Sequence, residues 1–213
     1  MNSPHRRSAI CGLYAITDGP RSDLLDAVAA ALRGGARVMQ YRDKTSDGER
    51  RRVEADSIAW HCRQHDALFI VNDDVELALA VGADGVHLGE DDADIAAARE
   101  LLGGAAIIGV SCYDSLGRAE ELAARGADYI AFGAFFASRS KQTLRRATPQ
   151  LLTEARRFDL PLVAIGGIDA GNAAPLISAG ADAIAVISAL FGSTDVEPRA
   201  RELAALFPAT PHR

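Results

Sequence analysis

Long apolar runs are missing from this sequence. No stretch reaches the ~18 residues that a membrane-spanning helix needs, so a helical membrane protein is excluded. Cysteine is scarce. Cys11, Cys62 and Cys112 are the only three, they lie far apart and they form no C-x-x-C. That rules out a disulfide framework and points to reduced thiols in a cytoplasmic protein. Pro/Ser-rich stretches, charge blocks and low-complexity tracts are absent from the body of the chain, so nothing reads as a linker between domains. Positive charge is in deficit: 23 Lys and Arg stand against 29 Asp and Glu, a net charge of −6. That excludes nucleic acid as the main partner, because backbone phosphates require a cationic face. A local cationic pocket is still compatible, since net charge says nothing about distribution. The first βα turn, Thr17-Asp18-Gly19-Pro20, lacks the G-x-G-x-x-G of a dinucleotide fold.

What is present is one domain's worth of ordinary globular sequence, 213 residues of which 48% are hydrophobic. Residues 1–11 read as a flexible tail; the short apolar stretch there is broken by Gly12 and ends at Asp18, unlike a signal peptide. Eight short apolar segments follow: 13–17, 37–43, 68–72, 85–89, 106–111, 129–135, 161–167 and 183–188. They read as buried parallel strands. Stretches of Ala, Leu, Arg and Glu at helical spacing separate them. A helix stop recurs: Gly35-Ala36, Gly82-Ala83-Asp84, Gly126-Ala127-Asp128 and Gly180-Ala181-Asp182 each precede a strand. The glycine supplies the left-handed turn after a helix. The steps of 47, 44 and 54 residues each span two βα units. Eight such units in one domain predict a compact (β/α)8 TIM barrel over residues 1–213, with a doubly wound open sheet as the alternative.

In such a barrel the active site lies at the C-terminal strand ends. Strand two ends in Gln40, Arg42 and Lys44, which share one face because side chains alternate. Pointed into the mouth, two cations and an amide would surround an anion; the bland reading leaves Lys44 in a loop and Arg42 paired with an Asp. Strand three ends in Asn72-Asp73-Asp74 and strand four in Gly89-Glu90-Asp91-Asp92. Asp73 and Asp92, hard carboxylates beside cations, suit Mg2+ shared with a ligand phosphate. Helix capping is the bland alternative, and it fits Asp74 and Asp91 best. Gly166-Gly167-Ile168-Asp169, read as opening a helix, and Ile187-Ser188 occupy the usual phosphate position of the fold. Ser138-Arg139-Ser140-Lys141 lies in the longest loop and reads as a cap over a phosphorylated substrate or as a solvated loop. His61 and His65, one helical turn apart, have no third metal ligand in view. His87 lies inside strand four, where lining the barrel suits it better than catalysis. Ser111 fails the G-x-S-x-G elbow at Tyr113 and reads as a hydrogen-bond donor; Cys112 reads as a buried, inert thiol.

Taken in order, Q-x-R-x-K, N-D-D, G-V-H-L-G-x-x-D, G-V-S, the hydroxyl–x–hydroxyl–Lys loop and A-I-G-G-I resemble the thiamine phosphate synthase family over nearly the whole chain. The resemblance implies a transferase that joins hydroxymethylpyrimidine pyrophosphate to hydroxyethylthiazole phosphate, giving thiamine phosphate and pyrophosphate. It implies that Gln40, Arg42, Lys44, Asn72, Ser111 and Lys141 hold the pyrimidine pyrophosphate. Asp73 and Asp92 would ligate Mg2+, and Ser138, Ser140, Gly167, Ile187 and Ser188 would hold the thiazole phosphate. Arg42, Lys44, Ser111 and Lys141 would carry the chemistry. The sequence departs from the family at Ser138 and Ser140, where threonines are usual, at Gly133-Ala134-Phe135-Phe136, where Gly-Pro is usual, and at Cys112-Tyr113, where a small residue and a histidine are common.

Three rival readings differ in chemistry. A thiazole tautomerase-like relative would share the barrel but not the coupling reaction; the intact Q-x-R-x-K, both acidic positions and Lys141 argue against it. An isomerase or epimerase of sugar phosphates would want a poised acid/base pair. A non-catalytic barrel binding thiazole or thiamine phosphate would show no Mg2+-dependent turnover. The sequence leaves a homo-oligomer open.

Overall fold

The computed structural model describes residues 10–90, 94–137 and 145–208. Eight parallel strands close into a barrel in sequence order: β1 (Gly12–Ile16), β2 (Ala36–Tyr41), β3 (Leu68–Asn72), β4 (Gly85–Leu88), β5 (Ile107–Tyr113), β6 (Tyr129–Phe132), β7 (Leu162–Ile165) and β8 (Ala183–Val186), with β8 pairing back onto β1. The fold is the (β/α)8 barrel that the eight βα units predict. The helices are α1 (Leu24–Arg33), α2 (Gly48–Gln64), α3 (Val75–Ala80), α4 (Ile95–Leu102), α5 (Leu116–Ala124), α6 (Pro149–Ala155), α7 (Ala174–Ser178), α8 (Ser188–Phe191) and α9 (Val196–Ala204). Among the described residues no helix is long and apolar enough to cross a membrane. Residues 1–9, most of the expected tail, lie outside the described residues.

Two apolar layers follow from strand alternation. Outward-facing residues such as Leu13, Met39, Val71 and Ile108 pack against the helices. On α1, Leu24, Ala27, Val28, Ala31 and Leu32 form the buried stripe that a helical period produces. Inward-facing residues, among them Ile10, Ile16, Val38, Ile70, Ile107 and Val163, fill the lumen as a second core. The barrel is therefore plugged at its base, and ligand access is confined to the C-terminal mouth.

The recurring glycines do end helices with positive φ: +100° at Gly35, +62° at Gly82, +95° at Gly126 and +110° at Gly180. The aspartates two residues further on have a job that periodicity alone does not reveal. Asp84 accepts from the Phe69 backbone N–H, Asp128 from Ile108 and Asp182 from Leu162, at 2.8–2.9 Å. Each carboxylate thus satisfies an N–H at the start of the neighbouring odd-numbered strand, within its first two residues at the bottom of the barrel. Arg99 meets Asp128 at 2.6 Å and Arg156 meets Asp182 at 2.9 Å. The Gly-Ala-Asp repeat therefore belongs to stability and not to the mouth.

Two expected boundaries are corrected. The helix after Gly166-Gly167 begins only at Ala174, because Asp169 and Asn172 fold residues 166–173 into turns: Asp169 N–H donates to Asn172 Oδ1 and Gly171 N–H to Asp169 Oδ1. Strand six stops at Phe132 rather than at residue 135, yet the chain keeps company with β7, as Phe136 N–H donates to the Gly166 carbonyl at 2.9 Å.

Asp128 is 3% exposed, so Asp128→Ala leaves the buried Ile108 N–H without its acceptor and takes the carboxylate partner from the half-buried Arg99 guanidinium. It is expected to destabilise the fold by about 3 kcal/mol. The side chain of Asp182 is 34% exposed, and Asp182→Ala should cost about 1 kcal/mol. Urea denaturation checks this as a larger midpoint drop for the first variant at unchanged m-value.

Candidate active site

The mouth holds a cavity of about 400 Å3, within the range of small-molecule sites, lined by residues on the inward faces and at the C-terminal ends of all eight strands. Gln40, Arg42 and Lys44 all line it. The reason lies in Tyr41 and Asp43, the intervening residues, which face the opposite way. Tyr41 Oη donates to Glu54 at 2.7 Å, and Arg50 pairs with Asp43 at 2.6 Å. Burial opposes ionisation of Asp43, but the Thr45 backbone N–H and the Arg50 guanidinium outweigh it and hold the carboxyl below its usual range. The strand itself ends at Tyr41, so Arg42 and Lys44 continue its alternation into the loop. Thr17, at the end of β1, clamps the Arg42 backbone from both sides: its hydroxyl accepts from the Arg42 N–H at 2.8 Å and donates to the Arg42 carbonyl at 3.1 Å. Among the described residues Arg42 makes no ion pair with an Asp, and Asp43 in the same segment takes Arg50.

Asn72 and Asp73 line the same cavity. Asp73 adopts φ +64°, a left-handed conformation that Asp tolerates better than most residues, and its N–H donates to the His87 carbonyl at 2.9 Å. Its carboxylate stands 4.0 Å from Lys44 Nζ, and Lys44 is 67% exposed. Asp74 is the helix cap: Oδ1 accepts from Leu77 N–H at 2.9 Å and Oδ2 from Arg51 at 2.9 Å. One carboxylate of the N-D-D run therefore faces the mouth and the other serves α3. Asp92, Ser138, Ser140 and Lys141 lie outside the described residues, as does Asp91. On the rim Arg145 pairs with Glu90 at 3.0 Å and stacks over the Tyr113 ring, 4.2 Å from its centre.

A second cleft, of about 670 Å3, adjoins the first and shares Ile165, Gly166, Ala185 and Ile187 with it. Gly167 and Ser188, the expected phosphate residues, line this cleft together with Ile187. Gly166 and Gly167 have φ of +105° and +66°, and a Cβ on Gly167 would stand 2.4 Å from the Ala137 carbonyl oxygen. Only glycine fits this backbone. Asn172 donates to the Gly167 carbonyl at 3.0 Å and fixes the turn. Ser188 opens the single-turn α8, whose first N–H groups have no partner within the helix.

Beneath the mouth the lumen is polar, and here the sequence reading was incomplete. Gln40 Nε2 donates to Tyr14 Oη at 2.8 Å, and Tyr14 Oη lies 2.7 Å from Tyr129 Oη. Tyr129 Oη lies 2.9 Å from His87 Nδ1, and His87 Nε2 lies 2.9 Å from Ser111 Oγ. Gly109 makes room for this, since a Cβ there would meet the Tyr129 ring at 1.9 Å. His87 lines the barrel as expected, but Tyr14 and Tyr129 carry no motif. Their signal was their parity: Tyr14 alternates with the lumen residue Ile16, and a tyrosine buried in a lumen needs a partner for its hydroxyl. Burial raises both phenols far above their ordinary range, so both stay protonated. Cys112, next to Ser111, points outward; burial pushes its thiol up to about 12. Among the described residues no group of three or more His, Cys, Asp or Glu side chains could hold a metal by itself.

Comparison with known proteins gives one consistent answer. The family model described as thiamine monophosphate synthase matches residues 13–190. The chain is 55% identical over 199 residues to the thiamine-phosphate synthase of Halorhodospira halophila, covering 93% of this chain and 95% of that one. It is 54% identical over 200 residues to that of Chromobacterium violaceum, covering 93% and 97%. Among solved structures it is similar to a thiamine phosphate pyrophosphorylase from Pyrococcus furiosus, with TM-score 0.84, 37% identity and coverage of 95% and 96%.

The burial of two thiols gives a direct check on the packing around Ser111. Cys62 and Cys112 are at most 1% exposed, and burial pushes each thiol up to about 12. A thiol reagent at neutral pH is expected to titrate Cys11 alone in the native protein and all three cysteines after denaturation.

Proposed function

The chain belongs to the thiamine monophosphate synthase family, a family of enzymes, and from that premise we propose how its mouth works. It couples hydroxymethylpyrimidine pyrophosphate to hydroxyethylthiazole phosphate with loss of pyrophosphate. The observation that carries this reading is the pair of clefts with a common wall, one cationic and one lined by glycine backbone. Two phosphorylated reactants, each held by its own anion site, would meet across Ile165 and Ile187. Holding both at once replaces the entropy cost of a bimolecular encounter, a large share of many enzymatic rate gains.

The pyrimidine pyrophosphate occupies the cationic cleft. Arg42 and Lys44 face the leaving group, and Gln40, Asn72 and Ser111 hold the rest by hydrogen bonds, joined by Lys141 from the loop after β6. Negative charge gathers on the pyrophosphate as its C–O bond breaks, and fixed cations are worth most where charge develops. The pyrimidine ring is electron-rich and can carry the cation left behind. The thiazole nitrogen is already nucleophilic, which suits a mouth whose described residues include no Ser-His-Asp or Cys-His arrangement. The thiazole phosphate lies in the glycine cleft against Gly167, Ile187 and Ser188, with Ser138 and Ser140 completing its site.

Mg2+ fits the donor set. Asp73 offers a hard carboxylate at the edge of the cationic cleft, and Mg2+ commonly takes one or two carboxylates and fills its remaining positions with water and phosphate oxygens. Asp73, together with Asp92, would hold it; when bound it would neutralise part of the pyrophosphate charge.

The test is to supply the purified protein with both substrates, with and without Mg2+, and to follow both products. Equal amounts of thiamine phosphate and pyrophosphate, formed only with the metal, are expected. Folded protein giving neither product would move the reading to a tautomerase-like or purely binding barrel. Arg42→Ala is expected to lower turnover on the order of 100-fold with no change in thermal unfolding; near-normal turnover would remove Arg42 from the leaving-group site.

A further inference from the structure

The five side chains that cross the lumen can be assigned a direction by counting protons. Tyr14 is 1% exposed and Tyr129 is fully buried, and each hydroxyl has two side-chain partners within the protein. Each phenol has one proton, and burial keeps it in place. Tyr14 Oη already accepts from Gln40 Nε2 at 2.8 Å, so its own proton goes to Tyr129, 2.7 Å away. Tyr129 then accepts from Tyr14 and spends its proton on His87 Nδ1 at 2.9 Å. With Nδ1 accepting, a neutral imidazole carries its hydrogen on Nε2 and donates it to Ser111 Oγ at 2.9 Å. The Ser111 hydroxyl has accepted one bond, and its own proton is left for the cavity that Ser111 lines.

We propose that Tyr14, Tyr129 and His87 are positioning residues in a one-way hydrogen-bond chain from Gln40 to Ser111, which fixes His87 as its Nε2–H tautomer and presents the Ser111 hydroxyl proton to an anionic ligand in the mouth. The chain of donors stands on geometry alone; only the identity of the anion, the pyrophosphate, rests on the function proposed above. The opposite polarity would either need the Gln40 amide turned over or leave the Tyr14 hydroxyl proton without an acceptor in the chain, and it would spend the Ser111 proton on His87. Ser111 would then offer only lone pairs to a mouth whose Arg42 and Lys44 call for an anion. In the forward direction each bond polarises the next, which strengthens the terminal donor. Both ends of the chain, Gln40 and Ser111, line the mouth from opposite sides, so the buried tyrosines hold two ligand-facing groups in register.

The test is nitrogen NMR of the full-length protein labelled at histidine, without substrates and at mildly alkaline pH, with His87 assigned by its loss in His87→Gln. The ring-nitrogen pattern tells the two neutral tautomers apart. The wild type is expected to show the Nε2–H form. Tyr129→Phe and Tyr14→Phe are each expected to give a tautomer mixture, with turnover in the coupling assay lowered about tenfold and KM little changed. Should Tyr129→Phe fail to fold, Tyr14→Phe and the wild-type spectrum decide the matter. An Nδ1–H tautomer in the wild type overturns the proposal, as does an unchanged tautomer and turnover in a folded tyrosine variant. The expected tautomer pattern with full activity in Ser111→Ala would uphold the chain and overturn the pyrophosphate as its target.

Discussion

Everything at the mouth depends on strand parity in a closed barrel. Because side chains alternate and no strand is an edge, each residue's direction is fixed as core, lumen or rim. Gln40, Arg42 and Lys44 lie on one parity, and Tyr41 and Asp43 on the other. The two sets have opposite tasks. One lines the mouth cavity, and the other ties the same segment to α2 through Glu54 and Arg50. A cationic mouth is costly to hold together by its own charges, so the segment is held from outside the mouth. Thr17 does the same from β1, at the backbone of Arg42.

The division between stability and chemistry follows the barrel axis. At the base, Asp84, Asp128 and Asp182 take N–H groups at the start of odd-numbered strands, and an apolar plug excludes water. Halfway up, the plug gives way to Tyr14, Tyr129 and His87, whose polar atoms satisfy one another. At the top lie the cations, the Asp73 carboxylate and the glycine turns. Apolar packing below makes the polar layer rigid, and a rigid polar layer is what lets Gln40 and Ser111 present fixed donors without reorganising.

Much of this was legible in the sequence, and the parts that were not have identifiable causes. All eight strands appear where apolar runs and the glycine repeat put them, because parallel strands covered on both faces leave an unambiguous pattern. Q-x-R-x-K reached the mouth because a period of two survives into the loop. Asp73 and Asp74 were separable, since Asp74 stands at the helix start where a cap is expected, and the left-handed turn at Asp73 is what puts its carboxylate at the mouth while Asp74 caps α3. The aspartates of the Gly-Ala-Asp repeat pair with a neighbouring strand's backbone, a contact between distant residues that no local pattern encodes. The same holds for Tyr14 and Tyr129, which are 115 residues apart and meet only when the barrel closes. The start of α7 was placed too early because Asp169 and Asn172 offer the backbone a competing set of turn hydrogen bonds.

The central claim is that the Q-x-R-x-K face binds the leaving group while the glycine cleft binds the second reactant. It is tested most directly by the crystal structure of the full chain with pyrophosphate and Mg2+ bound. The account expects pyrophosphate between Arg42 and Lys44, within hydrogen-bond reach of Ser111, with the metal on Asp73. Pyrophosphate seated only in the glycine cleft, with Arg42 and Lys44 turned to solvent, would contradict it.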